Sequence, residues 1–500
     1  MNLLSAQLSR LRISVIIVLL CGSTSLALAG SATWQQDPAN GDWNTPTNWN
    51  PATVPNDPSD VATFSVSNQT SVTVTDDIVL NSIVFQPDAS PFTISTSSPF
   101  ASVTINGAGV INNSAVTQNF SIGVVDRDQG SLNFAGSATA GNAVYTQAGG
   151  AARNSFGGTT SFFNTSTAGT ASFFVGGGAV NGADGGGVSF FDSSTAGSAI
   201  FTINPGMVTG ATGGHVEFGN TSTANRATIF ANGAQNAGGG TIFFLDDSKG
   251  GQANVVVQGN GTLDLTLHNP PGVTLTSVQG DGLVALGSSR LTVMPKQKVP
   301  FAGVISGKGS LVMRGKGSYD LTNANSYRGG TVIKDGTLLV DNTNGSGTGT
   351  GPVRVDSGAL GGTGIIAGAV TVGSNISGNG SFLAPGASVN QPGTLTLQSS
   401  LTFLSDGFFN VGLSRGPAVS QVVANGVTIQ AEAQFAFFNN RGVTVPVGTV
   451  FILINNTAAT PIGGVFENLP DGLIFTDQGN RFQIDYEGGD GNDLTLTRIP

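Results

Sequence analysis

The chain has 500 residues, of which 39% are hydrophobic, 10% are charged and 74 are glycine. Its 30 phenylalanines need burial, which excludes a disordered chain, and its glycines keep no every-third spacing, which excludes collagen. A formal charge of −10 argues against nucleic acid as a partner, because phosphates attract Lys and Arg.

Residues 1–29 read as a signal peptide. Arg10 and Arg12 supply a positive start, the stretch from Ser14 to Leu20 is almost wholly apolar, and Ala27-Leu28-Ala29 offers small residues for cleavage. The apolar run falls short of the roughly 20 residues of a spanning helix, and no later segment is a candidate. Cleavage takes two of the 19 basic residues and none of the 29 acidic ones, which moves the formal charge to −12. It also removes Cys21, the single cysteine, so the exported chain is expected to hold no disulfide. The expected location is secreted or cell-surface.

Residues 30–130 contain all three tryptophans, Trp34, Trp43 and Trp49. Clustered at one end of a stacked-repeat protein, they are expected to form an N-terminal cap over the first coil. The competing reading is a surface that stacks on carbohydrate rings.

Residues 131–262 carry an internal repeat. The run TSFFNTSTAG at Thr160–Gly169 recurs as VSFFDSSTAG at Val188–Gly197 and as VEFGNTSTAN at Val216–Asn225. Degenerate copies begin at Leu132 and Ile242. Phe134, Phe162, Phe190, Phe218 and Phe244 fall in one column, spaced 28, 28, 28 and 26 residues apart. Two residues before each lies Leu132, Thr160, Val188, Val216 or Ile242, the alternation of a strand with one face mostly apolar. A second strand follows, with Ala143, Ala171, Ala199, Ala227 and Ala253 and then Tyr145, Phe173, Phe201, Ile229 and Val255 on the same side. One such unit cannot bury its apolar face alone, so an all-β, parallel β-solenoid is expected. A propeller needs around 40 residues per unit and fits less well. Asn164, Asp192, Asn220 and Asp246 form a polar column two residues after the Phe. It is read as a ladder of turn residues bonding backbone, in preference to a row of metal or sugar ligands.

Residues 263–385 contain SGKGSL at Ser306–Leu311, Gly315-Lys316-Gly317, NSYRGGT at Asn325–Thr331 and DGTL at Asp335–Leu338. This segment resembles the autotransporter-associated β-strand repeat of bacterial passenger domains. The resemblance implies a right-handed parallel β-helix and a role in export at the surface of a Gram-negative-type bacterium. The Trp-bearing start, with Asp42, Asn48, Pro55 and the run Asp60 to Phe64, is similar to the start of large exported proteins with such repeats. Residues 386–500, with PGTL at Pro392–Leu395, VFILI at Val450–Ile454, GGVF at Gly463–Phe466 and GGDGND at Gly488–Asp493, are similar to the C-terminal β domain that follows them. No membrane barrel of alternating ten-residue strands is recognisable before Pro500, so the likeness is expected to cover the passenger only.

Chemistry is sparse. Asp490 and Asp493 fit one calcium nonapeptide, but a calcium β-roll needs tandem copies, and a closing hairpin explains the segment. From Ser131 to Thr262 the acids are Asp184, Asp192, Glu217, Asp246 and Asp247, and the bases Arg153, Arg226 and Lys249. His215 and His268 are isolated and are expected at the surface. No catalytic, cofactor-binding or metal-binding residue is assigned. The expected function is a non-enzymatic structural or adhesive surface protein, with glycans, cells or extracellular matrix as partners. A polysaccharide lyase or hydrolase, or an inert spacer, are the alternatives.

Overall fold

The computed structural model describes residues 30–500 except 97–100, 126–127, 377, 379, 415–417 and 440–441. The expected signal peptide, with Cys21, lies outside the described residues.

Each repeat forms one coil. In the coil that begins at Gly187, strand Gly187–Phe190 is followed by a turn at Asp192, a bridging residue Thr195, strand Ile200–Ile203 and a glycine-rich return to His215. Alternation sorts the side chains: Val188 and Phe190 are buried inside the coil, whereas Ser189 lies between them on the outer face. Successive coils pair in parallel and in register. Thr160, Val188, Val216 and Ile242 are direct partners up the stack, as are Phe162, Phe190, Phe218 and Phe244. The strands of this face join into a sheet of 13 described strands that starts at Trp49–Asn50 and ends at Val304–Ser306. The second strands stack the same way, Tyr145 on Phe173 on Phe201 on Ile229 on Val255. The protein is a parallel β-helix.

Two aromatic columns fill the repeat core. Rings of Phe134, Phe162, Phe190, Phe218 and Phe244 stack at centroid distances of 4.9, 4.6, 5.0 and 4.9 Å. Phe120, Tyr145, Phe173 and Phe201 stack opposite them at 4.9 Å per step. The columns meet edge to face, as in Phe190 against Phe201 at 5.9 Å and 83°. Each buried Phe contributes about 1.5–3 kcal/mol, and each favourable ring pair adds roughly 0.5–1.5 kcal/mol. Two polar exceptions find partners. Thr160, the odd member of its apolar column, accepts a hydrogen bond from Gln147 Nε2 at 3.0 Å. Tyr145 donates its hydroxyl to the Ala140 carbonyl at 2.7 Å.

The ends differ from the middle. At the N-terminal end, Ala32–Trp34 pairs in parallel with Val61–Phe64 and antiparallel with Trp49–Asn50, so the outermost strand is only two residues long. A short edge offers little backbone to a stray strand. At the other end, Ile365–Ile366, Thr394–Leu397, Gln421–Ala424 and Val450–Asn456 build a parallel sheet. Three antiparallel strands, Asp493–Ile499, Asn480–Gly488 and Ile474–Asp477, complete it.

The Asn-x-Tyr-x-Gly-Gly-Thr segment acts as a fastener between coils. Asn325 accepts from Ile305 N at 2.7 Å and donates to the Gly347 carbonyl at 2.6 Å, 20 residues behind and 22 ahead of it. Tyr327 is fully buried, and its hydroxyl shares a hydrogen bond with the Thr331 hydroxyl at 2.6 Å.

Phe190→Ala removes one ring from the middle of the column and is expected to lower stability by about 3–5 kcal/mol in urea denaturation. A change near zero would mean that the ring contributes nothing to the core.

Candidate binding groove

The residues that drew attention in the sequence fall into two groups. Most are structural. Trp34, Trp43 and Trp49 are at most 1% exposed and pack on one another and on Phe64 at 4.8–6.0 Å. Their indole nitrogens donate to the carbonyls of Gln69, Pro55 and Trp43. Buried rings with satisfied N–H groups offer no stacking surface, so the carbohydrate reading of these three fails.

The polar column also serves the backbone. Asn164, Asp192, Asn220 and Asp246 all sit at φ between 51° and 57°, the left-handed region that short polar side chains tolerate. Each accepts the N–H of its counterpart one coil back: Gly136 N to Asn164, Asn164 N to Asp192, Asp192 N to Asn220 and Asn220 N to Asp246, at 2.9–3.0 Å. Asn and Asp alternate freely because the ladder needs only a carbonyl-type oxygen.

Gly488–Asp493 is the tip of the antiparallel hairpin formed by the last two strands. Asp493 is nearly buried and accepts Asn456 N at 2.8 Å, so one of its oxygens is committed to backbone. Among the described residues no group of three or more His, Cys, Asp or Glu is placed to hold a metal ion.

The surface expectation for His268 is wrong. The residue is 7% exposed, and its ring reaches the Ser248 carbonyl through Nε2 at 2.7 Å and the Asn269 carbonyl through Nδ1 at 2.5 Å. It follows Asp246 in the turn column, where the chain shortens its coil and the ring folds inward. His215 is half-buried rather than free on the surface.

His215 belongs to a groove of about 510 Å³ on the outer face of the repeat region. Its floor is a column of backbone at Gly157, Gly185, Gly213, Gly239 and Asn260. Glycine is required here by close approach: a Cβ on Gly185 or Gly213 would meet the carbonyl oxygen of the next coil, at Gly213 or Gly239. Phe156, Asp184, His215, Glu217 and Phe243 rise from this floor. Phe156 is 57% exposed. His215 lies across Gly187, where a Cβ would stand 2.6 Å from its Nε2, and meets Phe243 edge to face at 6.4 Å. Asp184 faces Thr212, whose hydroxyl is 3.5 Å away and accepts Gly185 N at 2.9 Å. Asp184 and Glu217 share no hydrogen bond with each other among the described residues.

No Lys or Arg lines the groove among the described residues. Burial raises the Asp184 carboxyl above its usual range, and Thr212 opposes this in part. Burial raises Glu217 as well, and the neighbouring charge of Asp246 adds to it. Burial lowers His215, which favours its neutral ring. Sequence reasoning weighed Asp184 and Glu217 only as scattered acids and passed over Phe156 and Phe243. The available signal was departure from the repeat. Glu217 and Phe243 occupy a column that holds Ser161 and Ser189 lower in the stack, and His215 stands above Gly187.

Two measurements test these assignments. Asn220→Gly keeps the backbone angle but removes the acceptor, and is expected to cost about 1 kcal/mol in urea denaturation. Asn220→Ala adds left-handed strain of roughly 1–2 kcal/mol to that. For Glu217, a folded pKa above the unfolded value means that protonation favours the fold. That contribution is complete below the unfolded pKa and is lost as pH rises through the folded one. Glu217→Gln is therefore expected to melt above the parent at pH 7, with the gap closing below about pH 4.

No family model matches the chain. Over 110 residues, 21% of its length, the chain is 40% identical to a protein of Brucella suis biovar 1 (strain 1330) described as the adhesin BmaC autotransporter. The matched segment is 3% of that adhesin, so the chain spans a small fraction of the relative it matches. Over about a fifth of its length, the chain is autotransporter-like.

Proposed function

We propose that this chain is an adhesive protein displayed on, or released from, the surface of a Gram-negative-type bacterium. The observation that carries the reading is 40% identity, over 110 residues, to part of an autotransporter adhesin, joined to a parallel β-helix built from repeats. A signal peptide at residues 1–29 provides export, and the segment from Phe301 to Asn342 is a passenger-type autotransporter-associated repeat. The chain is organised as an N-terminal cap region (30–130), a repeat solenoid (131–262), a β-helix with that repeat (263–385) and a C-terminal capping domain (386–500). Its function is non-enzymatic. Stacking presents like groups at every coil, as where the Ser193 and Thr221 hydroxyls lie 3.2 Å apart. Weak contacts repeated along one rigid object gain from multivalency, which suits binding to glycans, cells or extracellular matrix.

Beads coated with residues 30–500 are expected to retain cells or matrix saturably above albumin-coated controls. Retention no better than albumin would leave a passive spacer.

One observation favours a second reading, a polysaccharide lyase or hydrolase. Asp184 and Glu217 line one groove, where burial raises both carboxyls, and a pair of carboxyl groups is what such an enzyme uses. Release of new reducing ends or unsaturated products from polysaccharide, lost in Glu217→Gln, would establish it.

A further inference from the structure

We propose that the groove over the glycine floor is a binding site for a neutral, hydroxyl-rich saccharide chain lying along the coil axis. This rests on the adhesive reading and gives it a ligand class and a place.

Shape comes first. The floor crosses five coils, from Gly157 to Asn260, so its four steps span about 19 Å. A groove of that length with about 510 Å³ takes a short oligosaccharide rather than a single small metabolite. The floor is low because glycines let successive coils close up there, leaving backbone where other columns carry side chains.

The lining chemistry narrows the ligand. Phe156 presents a ring that is more exposed than buried, and Phe243 presents a half-buried one. Aromatic faces suit the apolar C–H face of a pyranose. Between them, the Glu217 carboxyl and the His215 ring have no hydrogen-bond partner among the described residues. Half-buried polar groups without partners gain most from a ligand that both donates and accepts, which is what sugar hydroxyls do. Charge then excludes one branch of saccharides. Asp184, Glu217 and the nearby Asp246 are acidic, and among the described residues no Lys or Arg lines the groove to offset them. Uronate or sulfated sugars would meet like charge.

The test titrates residues 30–500 by calorimetry with cellohexaose, xylohexaose, N-acetylchitohexaose and hexagalacturonate at pH 7. At least one of the three neutral hexamers is expected to bind saturably, and hexagalacturonate is expected not to bind. Phe156→Ala, an exposed position whose fold is checked by circular dichroism, should weaken the neutral ligand at least tenfold. The proposal is overturned if none of the neutral hexamers binds, if hexagalacturonate binds as well as they do, or if Phe156→Ala changes nothing. Bead retention of cells without saccharide binding overturns the groove assignment and leaves adhesion standing. Saccharide binding without retention upholds the groove and removes adhesion.

Discussion

Parallel hydrogen bonding between successive coils fixes their separation at about 4.8 Å, and at that spacing side chains in one column must touch. The rings of Phe134 to Phe244 lie 4.6–5.0 Å apart because the backbone has already set the distance at which flat groups pack face to face. A repeat that places Phe at the same point in each coil thus obtains a filled core with no further adjustment. Among the described residues the core holds no cysteine, so stacking takes the place that cross-links hold in many extracellular domains.

The same spacing governs the corners. Where the chain turns between strands, a left-handed residue with an acceptor oxygen can serve the coil behind it, and Asn164, Asp192, Asn220 and Asp246 do so in succession. Where two corners approach too closely for any side chain, glycine is the answer, as at Gly185 and Gly213. Farther along, Asn325 does with one side chain what the ladder does with a column, tying its own coil to the coils before and after it. Polar residues that look like ligand sets in the sequence are thereby used up by the backbone.

The register, the inward side of both strands and the two aromatic columns were legible in the sequence because a 28-residue period puts the same physical demand on each copy. Thr160 stood out as an exception, but its partner Gln147 lies in another strand of the coil and could be found only in three dimensions. His268 was misread for the same reason. Its burial depends on a coil shortening that carries its ring toward the Ser248 carbonyl. The groove was visible only as a set of irregularities. Glu217, Phe243 and His215 each replace something smaller in their columns, and the glycines beneath them looked like ordinary loop residues. Residues that conform to the repeat build the scaffold, whereas residues that break its pattern line the groove.

The antiparallel strands at the C-terminal end and the two-residue strand Trp49–Asn50 at the other have a mechanical consequence. A pull along the axis loads the bonds between neighbouring coils, and in a stack these can give way layer by layer. The outermost layers are the first to separate. At the N-terminal end that layer is held by interlocked tryptophans, and at the other by strands running against the direction of the stack. Resistance to peeling is thus concentrated at the two ends of the described stack, and the regular coils between can remain uniform.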